Sequence, residues 1–271
     1  MNKLYFCAMK IKGIILGLMT ALIVLSSCST FQKTFNSTDN DKKYQAALDY
    51  YAQGDYYKSL RLLEDIKSVY KATDKENQVL YHLAQCYYHQ KDYVLGSYYF
   101  NRFWKDFPED EKAEEALFLS AYCYYLDSPR YSLDQTTTID AMKEFQTFLN
   151  AYPNSTRVEE CNGLLDDLRS KLEKKAYETS NLYYKIGDFQ AAVISFENML
   201  DHFPDTQYRE EVLFLILKAR YIFASKSIEN KKKERYTATI KSYNNLLKYF
   251  PETSYLKEAN LIQENSLKYL N

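Results

Sequence analysis

The sequence predicts an all-α fold built from about five helical hairpins stacked in a row. The segment Asp92–Pro108 is repeated at its key positions in Asp188–Pro204. Both copies begin with an Asp and an aromatic residue, contain a small residue and then a Phe, and end on an aromatic-Pro pair. Such internal repeats are typical of stacked helical units. The chain shows no alternating apolar and polar pattern that would predict a strand.

The repeated unit resembles the tetratricopeptide pattern of about 34 residues, in which small residues mark the crossing of two helices. The second repeat of the sequence matches this pattern at the marked positions Leu80, Leu83, Ala84, Tyr87, Gly96, Phe100, Phe103 and Pro108. In the third repeat, Pro153 comes eight residues later than the pattern places the closing Pro. The fifth repeat, which ends at Pro251, is similarly expanded. The sequence therefore predicts a tetratricopeptide-like α-solenoid of about five hairpins, the third and fifth with lengthened inner loops.

Residues 1–27 have the composition of a secretory signal peptide. They carry three Lys residues and no acid, and their apolar run, residues 13–25, is too short to span a membrane. Translation could begin at Met9 as easily as at Met1, because Met9 opens a more compact signal.

The signal ends on Leu25-Ser26-Ser27-Cys28, which resembles a bacterial lipobox. In a lipobox the Cys thiol receives a thioether-linked diacylglycerol before cleavage, and several acyl chains hold a protein to a bilayer almost permanently. The sequence thus predicts a covalent lipid on Cys28 and membrane attachment through it. An ordinary signal peptide followed by a chance Cys is the alternative.

After Cys28 the chain divides into a tether and two lobes. Residues 28–43 are polar with few apolar anchors, which predicts a flexible lipidated tether. An N-terminal lobe of three hairpins then covers residues 44–155, and a C-terminal lobe covers residues 156–271. Thr156 and Glu159 form a capping box at the boundary, so a long linking helix is expected from about Thr156 into the fourth hairpin.

Charge and composition argue against several functions. Removing residues 1–27 subtracts three of the 35 basic residues and none of the 36 acidic ones, so the net charge falls from −1 to −4. A protein with this net negative charge does not attract the phosphates of nucleic acid electrostatically. The glycines after residue 27 are scattered, which argues against a phosphate-binding loop. Cys86, Cys123 and Cys161 are odd in number and are expected to be buried free thiols.

No residue pattern indicates catalysis or a metal site. His82 and His89 are seven residues apart, whereas a metal-binding pair on one helix needs a spacing of four. There is no Gly-x-Ser-x-Gly motif. We therefore expect a protein that is not an enzyme, with no catalytic residue, no metal and no cofactor other than the lipid on Cys28.

Tyrosine pairs are the most informative feature of the hairpins. Four first helices carry a Tyr-Tyr pair at one register, namely Tyr50-Tyr51, Tyr87-Tyr88, Tyr124-Tyr125 and Tyr183-Tyr184. The first member is expected in the core, and the second on a face shared with the aromatic residue seven positions earlier. The candidate peptide groove consists of Tyr44, Tyr51, Tyr81, Tyr88, Phe118 and Tyr125. Alternatively, these rings only pack against the next hairpin.

Two irregular segments interrupt the hairpins. The loop after Asp127 cannot continue a helix through Pro129, and Arg130 and Tyr131 in it are candidate contact residues. A solvated spacer is the equal alternative for this loop. The charged run Glu229–Arg235, with three consecutive lysines, is interpreted as a solvated spacer.

Together with the lipobox and the number of hairpins, the segments Tyr152-Pro153-Asn154-Ser155 and Met199–Thr206 make the chain resemble BamD-like proteins. These are outer-membrane lipoproteins of the machinery that inserts β-barrel proteins. The resemblance covers nearly everything after Cys28, and the expanded third hairpin and the segment Leu213–Ala219 resemble the Bacteroidetes branch.

This resemblance implies a scaffold with several partners. The C-terminal hairpins would dock on the periplasmic domains of the central β-barrel assembly protein, and the N-terminal ones would recognise the aromatic-ending signals of nascent outer-membrane proteins. Other assembly lipoproteins are further partners. Ser29, rather than Asp, follows Cys28, and no acidic run comes next, so the expected location is the periplasmic face of the outer membrane.

One other class stays open, a helical glycan-binding or nutrient-binding lipoprotein partnered with an outer-membrane transporter. Such proteins present several tryptophans to sugars, whereas Trp104 is the single Trp of this chain.

Overall fold

The computed structural model describes residues 30–271, and residues 1–29, with the predicted signal peptide and Cys28, lie outside this range. The described residues contain helices and no strand. Residues 30–35 form a short helical segment. Eleven longer helices follow: α1 (Asn40–Ala52), α2 (Tyr56–Ile66), α3 (Glu76–His89), α4 (Tyr93–Asp106), α5 (Ala113–Asp127), α6 (Thr136–Ala151), α7 (Val158–Lys185), α8 (Phe189–His202), α9 (Arg209–Ser225), α10 (Glu229–Tyr249) and α11 (Leu256–Leu270).

The helices form five hairpins, so the predicted all-α, tetratricopeptide-like solenoid is confirmed. The hairpins are α1–α2, α3–α4, α5–α6, the end of α7 with α8, and α9–α10, and α11 follows as a single helix. The chain separates into two compact units. The first comprises residues up to Ser128 and Ile139–Cys161, and the second comprises Pro129–Thr138 and Asn162–Asn271. The segment Pro129–Thr138, assigned to the N-terminal lobe from the sequence, thus groups with the second unit.

Tight turns inside three hairpins share one construction. The second helix starts after Asp55, Asp92 or Asp188, whose carboxylate accepts a hydrogen bond from the backbone N–H three residues later at 3.1–3.2 Å. This bond satisfies one of the free N–H groups at a helix start. The residue before each Asp has a positive φ, and it is Gly in two of the three turns, since Gly adopts this conformation without strain.

Small residues allow the second and third hairpins to approach closely. A Cβ atom added to Gly96 on α4 would lie 3.2 Å from the Sγ atom of Cys123 on α5, which is tighter than ordinary van der Waals contact. Ser97 on α4 contacts Ser120 on α5 at 3.2 Å. The expected role of Gly96 at a helix crossing is therefore confirmed.

A repeated polar contact, which we call the turn-to-helix bond, joins each aromatic-Pro turn to the first helix of the hairpin before it. The side chain two residues after the Pro makes this bond in all four turns. The pairs are Asn77–Asp110 at 2.8 Å, Glu114–Ser155 at 2.6 Å, Glu173–Thr206, and Glu210–Thr253 at 2.7 Å. The same side chain also accepts a backbone N–H two residues later, so one group caps the new turn and fixes it to the previous hairpin.

The predicted flexible tether, residues 28–43, is wrong over most of its length. Phe31 and Phe35 lie one helical turn apart, with ring centroids 5.9 Å apart, and pack against the core of the first unit. Helix α1 already begins at Asn40, where Asp39 caps it, and Lys43 is buried in an ion pair with Asp65. Two Phe residues with i,i+4 spacing therefore anchor a segment whose average composition is polar.

A long helix is present where the sequence predicts one. Helix α7 runs over 28 residues without interruption, from Val158 to Lys185. Its start differs slightly from the prediction, because Ser155, rather than Thr156, accepts the N–H of Arg157 at 3.0 Å.

The prediction of a lengthened inner loop is right for the third hairpin and wrong for the fifth. Residues 128–135 separate α5 from α6, whereas only residues 226–228 separate α9 from α10. The extra residues of the fifth hairpin lengthen its helices to 17 and 21 residues. The charged run Glu229–Arg235 thus forms the start of α10, because Lys, Glu and Arg are good helix formers.

We predict that Thr206→Val destabilises the second unit by about 1–3 kcal/mol. Glu173 is buried, with 9% of its surface exposed, and the substitution removes the hydroxyl that donates to its carboxylate. Denaturant unfolding of the variant would measure the loss.

Thr237→Val is the matched control. Thr237 is exposed on α10, and its hydroxyl bonds only the carbonyl oxygen of Lys233, so we expect a change within about 0.5 kcal/mol. Equal losses for both variants would show that the bond to Glu173 has no special role.

Candidate functional site

Half of the predicted groove residues lie in the core of the first unit. Tyr44, Tyr81 and Phe118 are exposed by only 3%, 7% and 3%. The Tyr44 hydroxyl donates to Oε1 of Gln78 at 2.5 Å, and the Tyr81 hydroxyl donates to Oε2 of Glu115 at 2.8 Å. Each bond reaches the first helix of the next hairpin. Tyr44 and Tyr81 thus hold neighbouring hairpins together, whereas Phe118 packs within its own hairpin against Phe145 and Phe148. All three are too buried to line a groove, so this part of the prediction is corrected.

The second members of the tyrosine pairs remain half-buried. Tyr51 packs edge-on against His82, with ring centroids 5.1 Å apart, and Tyr88 packs in the same way against His89 at 5.3 Å. Tyr125 is also half-buried and stacks on Tyr122 at 5.6 Å, with 15° between the ring planes. Part of each ring is therefore accessible on the first helices of all three hairpins.

Ring contacts connect Tyr51, His82, Tyr88 and His89, and Tyr122 and Tyr125 form a second stacked pair. We call these six residues together the aromatic surface. Burial, and to a smaller extent the nearby phenol of Tyr122, raises the pKa of Tyr88. Burial also raises the pKa of Tyr51 to about 12. The phenols of Tyr51 and Tyr88 are therefore neutral hydrogen-bond donors at physiological pH.

Sequence reasoning missed His82, His89 and Tyr122 as members of this surface. Tyr122 precedes Tyr125 by three residues, a spacing that puts both on one helix face and could have revealed it. The spacing of the histidines was informative only about metal binding. Across residues 30–271 no group of three or more His, Cys, Asp or Glu residues could hold a metal ion.

The first members of the pairs are less buried than predicted. Tyr50, Tyr87 and Tyr124 are half-buried, and Tyr183 is 39% exposed. Tyr87 stacks on Tyr99 at 5.4 Å, and its hydroxyl donates to Glu64 at 2.7 Å. A phenol needs a polar partner when it leaves water, so these rings lie at the edge of the hairpin interface rather than in its centre.

The candidate contact loop is held in the second unit by a buried amide. Nε2 of Gln135 donates to the carbonyl oxygens of Arg130, Leu133 and Asp134 at 3.0–3.2 Å. Tyr131 is half-buried, with the Lys174 ammonium 4.6 Å from its ring centroid, whereas Arg130 is exposed. Arg130 is thus accessible to a partner, and Tyr131 has a packing role.

The three cysteines of the described region are buried and free, as expected from the sequence. Burial raises the pKa of the Cys86 and Cys161 thiols to about 11 and that of the Cys123 thiol to about 12. They are therefore poor nucleophiles.

The model of the YfiO family, described as outer membrane lipoprotein, matches residues 36–234, which include all three hairpins of the first unit. The chain belongs to the YfiO family of outer membrane lipoproteins. This result confirms the resemblance to BamD-like lipoproteins. None of the helices within residues 30–271 is both long and apolar enough to cross a bilayer.

Other comparisons concern more distant proteins. No curated protein matches the chain significantly. Among solved structures, the TPR2AB-domain:pHSP90 complex of yeast Sti1 has a TM-score of 0.37 and 12% identity, covering 84% of this chain and 98% of that one. The nearly identical TPR-like repeats of a Podospora anserina kinesin light chain have a TM-score of 0.33 and 12% identity, covering 84% and 96%.

We predict that the first unit loses stability as the pH falls through about 6.5, and that His82→Gln reduces this loss. Burial lowers the pKa of His82, although its bond to the carbonyl oxygen of Gln78 opposes the shift. Unfolding therefore takes up a proton below the unfolded-state pKa, whereas the full stabilisation is present above it. The free energy of unfolding between about pH 7.5 and about pH 5.5 would measure the slope.

His202→Gln serves as the control, because His202 is exposed on α8, outside the aromatic surface. The prediction fails if the parent chain and His82→Gln show the same slope.

Proposed function

We propose that this lipoprotein is a non-enzymatic scaffold of the machinery that assembles β-barrel proteins in the outer membrane. Membership of the YfiO family supports an outer-membrane role. The aromatic surface is the observation that carries the proposal, because it offers accessible rings on three consecutive first helices. The histidines in it pack against tyrosines, and Nδ1 of His82 lies 2.7 Å from a backbone carbonyl oxygen, an arrangement that suits packing better than proton transfer.

The aromatic surface suits the end of an incoming barrel strand. An extended peptide has unpaired backbone N–H and C=O groups, which neutral phenols can bond, and its terminal aromatic side chain can stack on the rings. The rings already contact one another, so little side-chain entropy is lost when a peptide binds. The N-terminal hairpins would therefore recognise signals of nascent outer-membrane proteins.

The remaining partners follow from the family resemblance. The C-terminal hairpins would bind the periplasmic domains of the central barrel component, and other assembly lipoproteins would join the complex. Arg130 is an accessible candidate contact in the second unit. Affinity capture from native membranes followed by mass spectrometry tests this proposal. Recovery of a barrel-assembly protein would support it, whereas recovery of a nutrient transporter with glycan binding would replace it.

We expect the Tyr88→Ala, Tyr125→Ala double variant to bind a peptide with a C-terminal aromatic residue about tenfold more weakly, because two stacking contacts are lost. Fluorescence anisotropy of a labelled peptide would give the affinity. Tyr98→Ala is the control, since Tyr98 is 55% exposed on α4 and lies outside the aromatic surface. Unchanged affinity together with lower stability would mean that Tyr88 and Tyr125 only pack.

Membrane attachment is proposed to depend on a diacylglycerol and acyl chains on Cys28, at the periplasmic face of the outer membrane. We expect Cys28→Ser to abolish labelling by radioactive palmitate and to move the protein from the membrane to the soluble fraction, because several acyl chains supply the binding energy. Labelling of cells followed by fractionation is the measurement, with Cys86→Ser as the matched control. Persistent labelling of Cys28→Ser would exclude this anchor.

A further inference from the structure

The turn that opens α10 breaks the pattern of the other tight hairpin turns. Where Asp55, Asp92 and Asp188 cap their helices, the N-cap residue of α10 is Ile228, which makes no side-chain capping bond. Its side chain is 68% exposed, among the highest values for an apolar residue of the described chain. The missing cap is unfavourable for folding, and the exposed isoleucine contributes little to the core.

The same turn concentrates positive charge. Residues 226–235 carry five cations and only two acids, Glu229 and Glu234, in a chain whose net charge is −1. Lys231 and Lys232 lie in the first turn of α10, where the positive end of the helix dipole disfavours cations. Residues that locally disfavour the fold, such as these, are expected to concentrate at functional sites.

Aromatic residues underlie these cations and hold them at the surface. The Lys226 ammonium lies 5.0 Å from the ring centroid of Phe189, and the Arg235 guanidinium lies 3.9 Å from that of Phe223. Lys232 lies 5.3 Å from the ring of Tyr269, which is 36% exposed near the end of α11. We call residues 226–235 together with Tyr269 the basic turn.

The two glutamates of the basic turn leave its cations available to an anionic partner. Glu234 pairs with Lys231 at 3.2 Å, and Glu229 pairs with Lys232 at 3.1 Å. Both glutamates are more than 70% exposed, and such surface pairs are weak and easily exchanged. An anionic surface can therefore compete with them.

We propose that the basic turn binds anionic phospholipid head groups, with Ile228 entering the membrane interface. An exposed aliphatic side chain, a neighbouring Tyr and a ring of cations are the residues that interfacial segments present to a lipid surface. Each cation near such a surface contributes about fivefold to the affinity. An acidic polypeptide would be attracted by the cations but would give no reason for the exposure of Ile228.

Membrane attachment makes even a weak contact effective. A lipoprotein of the outer membrane is held close to a bilayer, so the basic turn meets lipid at a high effective concentration. The basic turn is distinct from the aromatic surface, and its binding to lipid requires membrane attachment but no assembly partner.

A fluorescent probe at position 228 tests the proposal. The full chain carrying Ile228→Cys, purified from membranes, is labelled with an environment-sensitive dye and reconstituted into vesicles of phosphatidylglycerol or of phosphatidylcholine. Ile186→Cys is the matched control, because Ile186 is 66% exposed in the same unit and lies outside the basic turn. The chain without either substitution gives the background, and its buried thiols react slowly because burial raises their pKa to about 11 or about 12.

We expect the emission of the probe at position 228 to shift to shorter wavelength in phosphatidylglycerol and not in phosphatidylcholine, and the probe at position 186 to stay unchanged. Adding Lys231→Glu and Lys233→Glu should lower the affinity of the turn at least about 25-fold and abolish the shift. Equal shifts in the two lipids, equal shifts at the two positions, or no shift at position 228 would each overturn the proposal.

Discussion

The turn-to-helix bond fixes each aromatic-Pro turn to the first helix of the hairpin that the turn closes. A helical hairpin cannot bury its own apolar faces, so it needs a neighbour, but hydrophobic packing by itself has no direction. A polar pair at the interface does have direction, and leaving it unmade costs free energy. The side chain two residues after each turn proline, at Asp110, Ser155, Thr206 and Thr253, supplies such a pair for every aromatic-Pro turn.

The packing of neighbouring hairpins decides which aromatic residues can meet a partner. Tyr44 and Tyr81 reach polar side chains 34 residues further along the chain and become buried between hairpins. Tyr51 and Tyr88, seven residues after them and on the same helices, keep part of their rings exposed. One helix face therefore divides into a structural end and an accessible end. The accessible end is preorganised by contacts among its own rings, a property that favours binding.

The aromatic surface and the basic turn have different chemistry. The aromatic surface of the first unit presents phenol and imidazole rings, and it suits a peptide that offers backbone groups and an aromatic side chain. The basic turn of the second unit has a cluster of cations around an exposed isoleucine and suits an anionic interface. The membrane-attached scaffold that we propose can use both, because neither surface requires an active site. The cysteines take no part, as all three in the described region are buried.

The sequence alone determined the helical class, the five hairpins and the long α7, because helix periodicity, Asp caps and turn prolines act within a few residues of themselves. It also located Tyr51, Tyr88 and Tyr125 on the face that stays accessible. It could not distinguish Tyr44 and Tyr81 from them, since a helix repeats its face every turn and only the neighbouring hairpin decides which part is covered. The docking of Phe31 and Phe35 and the addition of His82 and His89 to the aromatic surface likewise depended on tertiary contacts. Whether a side chain is buried depends on the residues across the interface, and these residues are distant in the sequence.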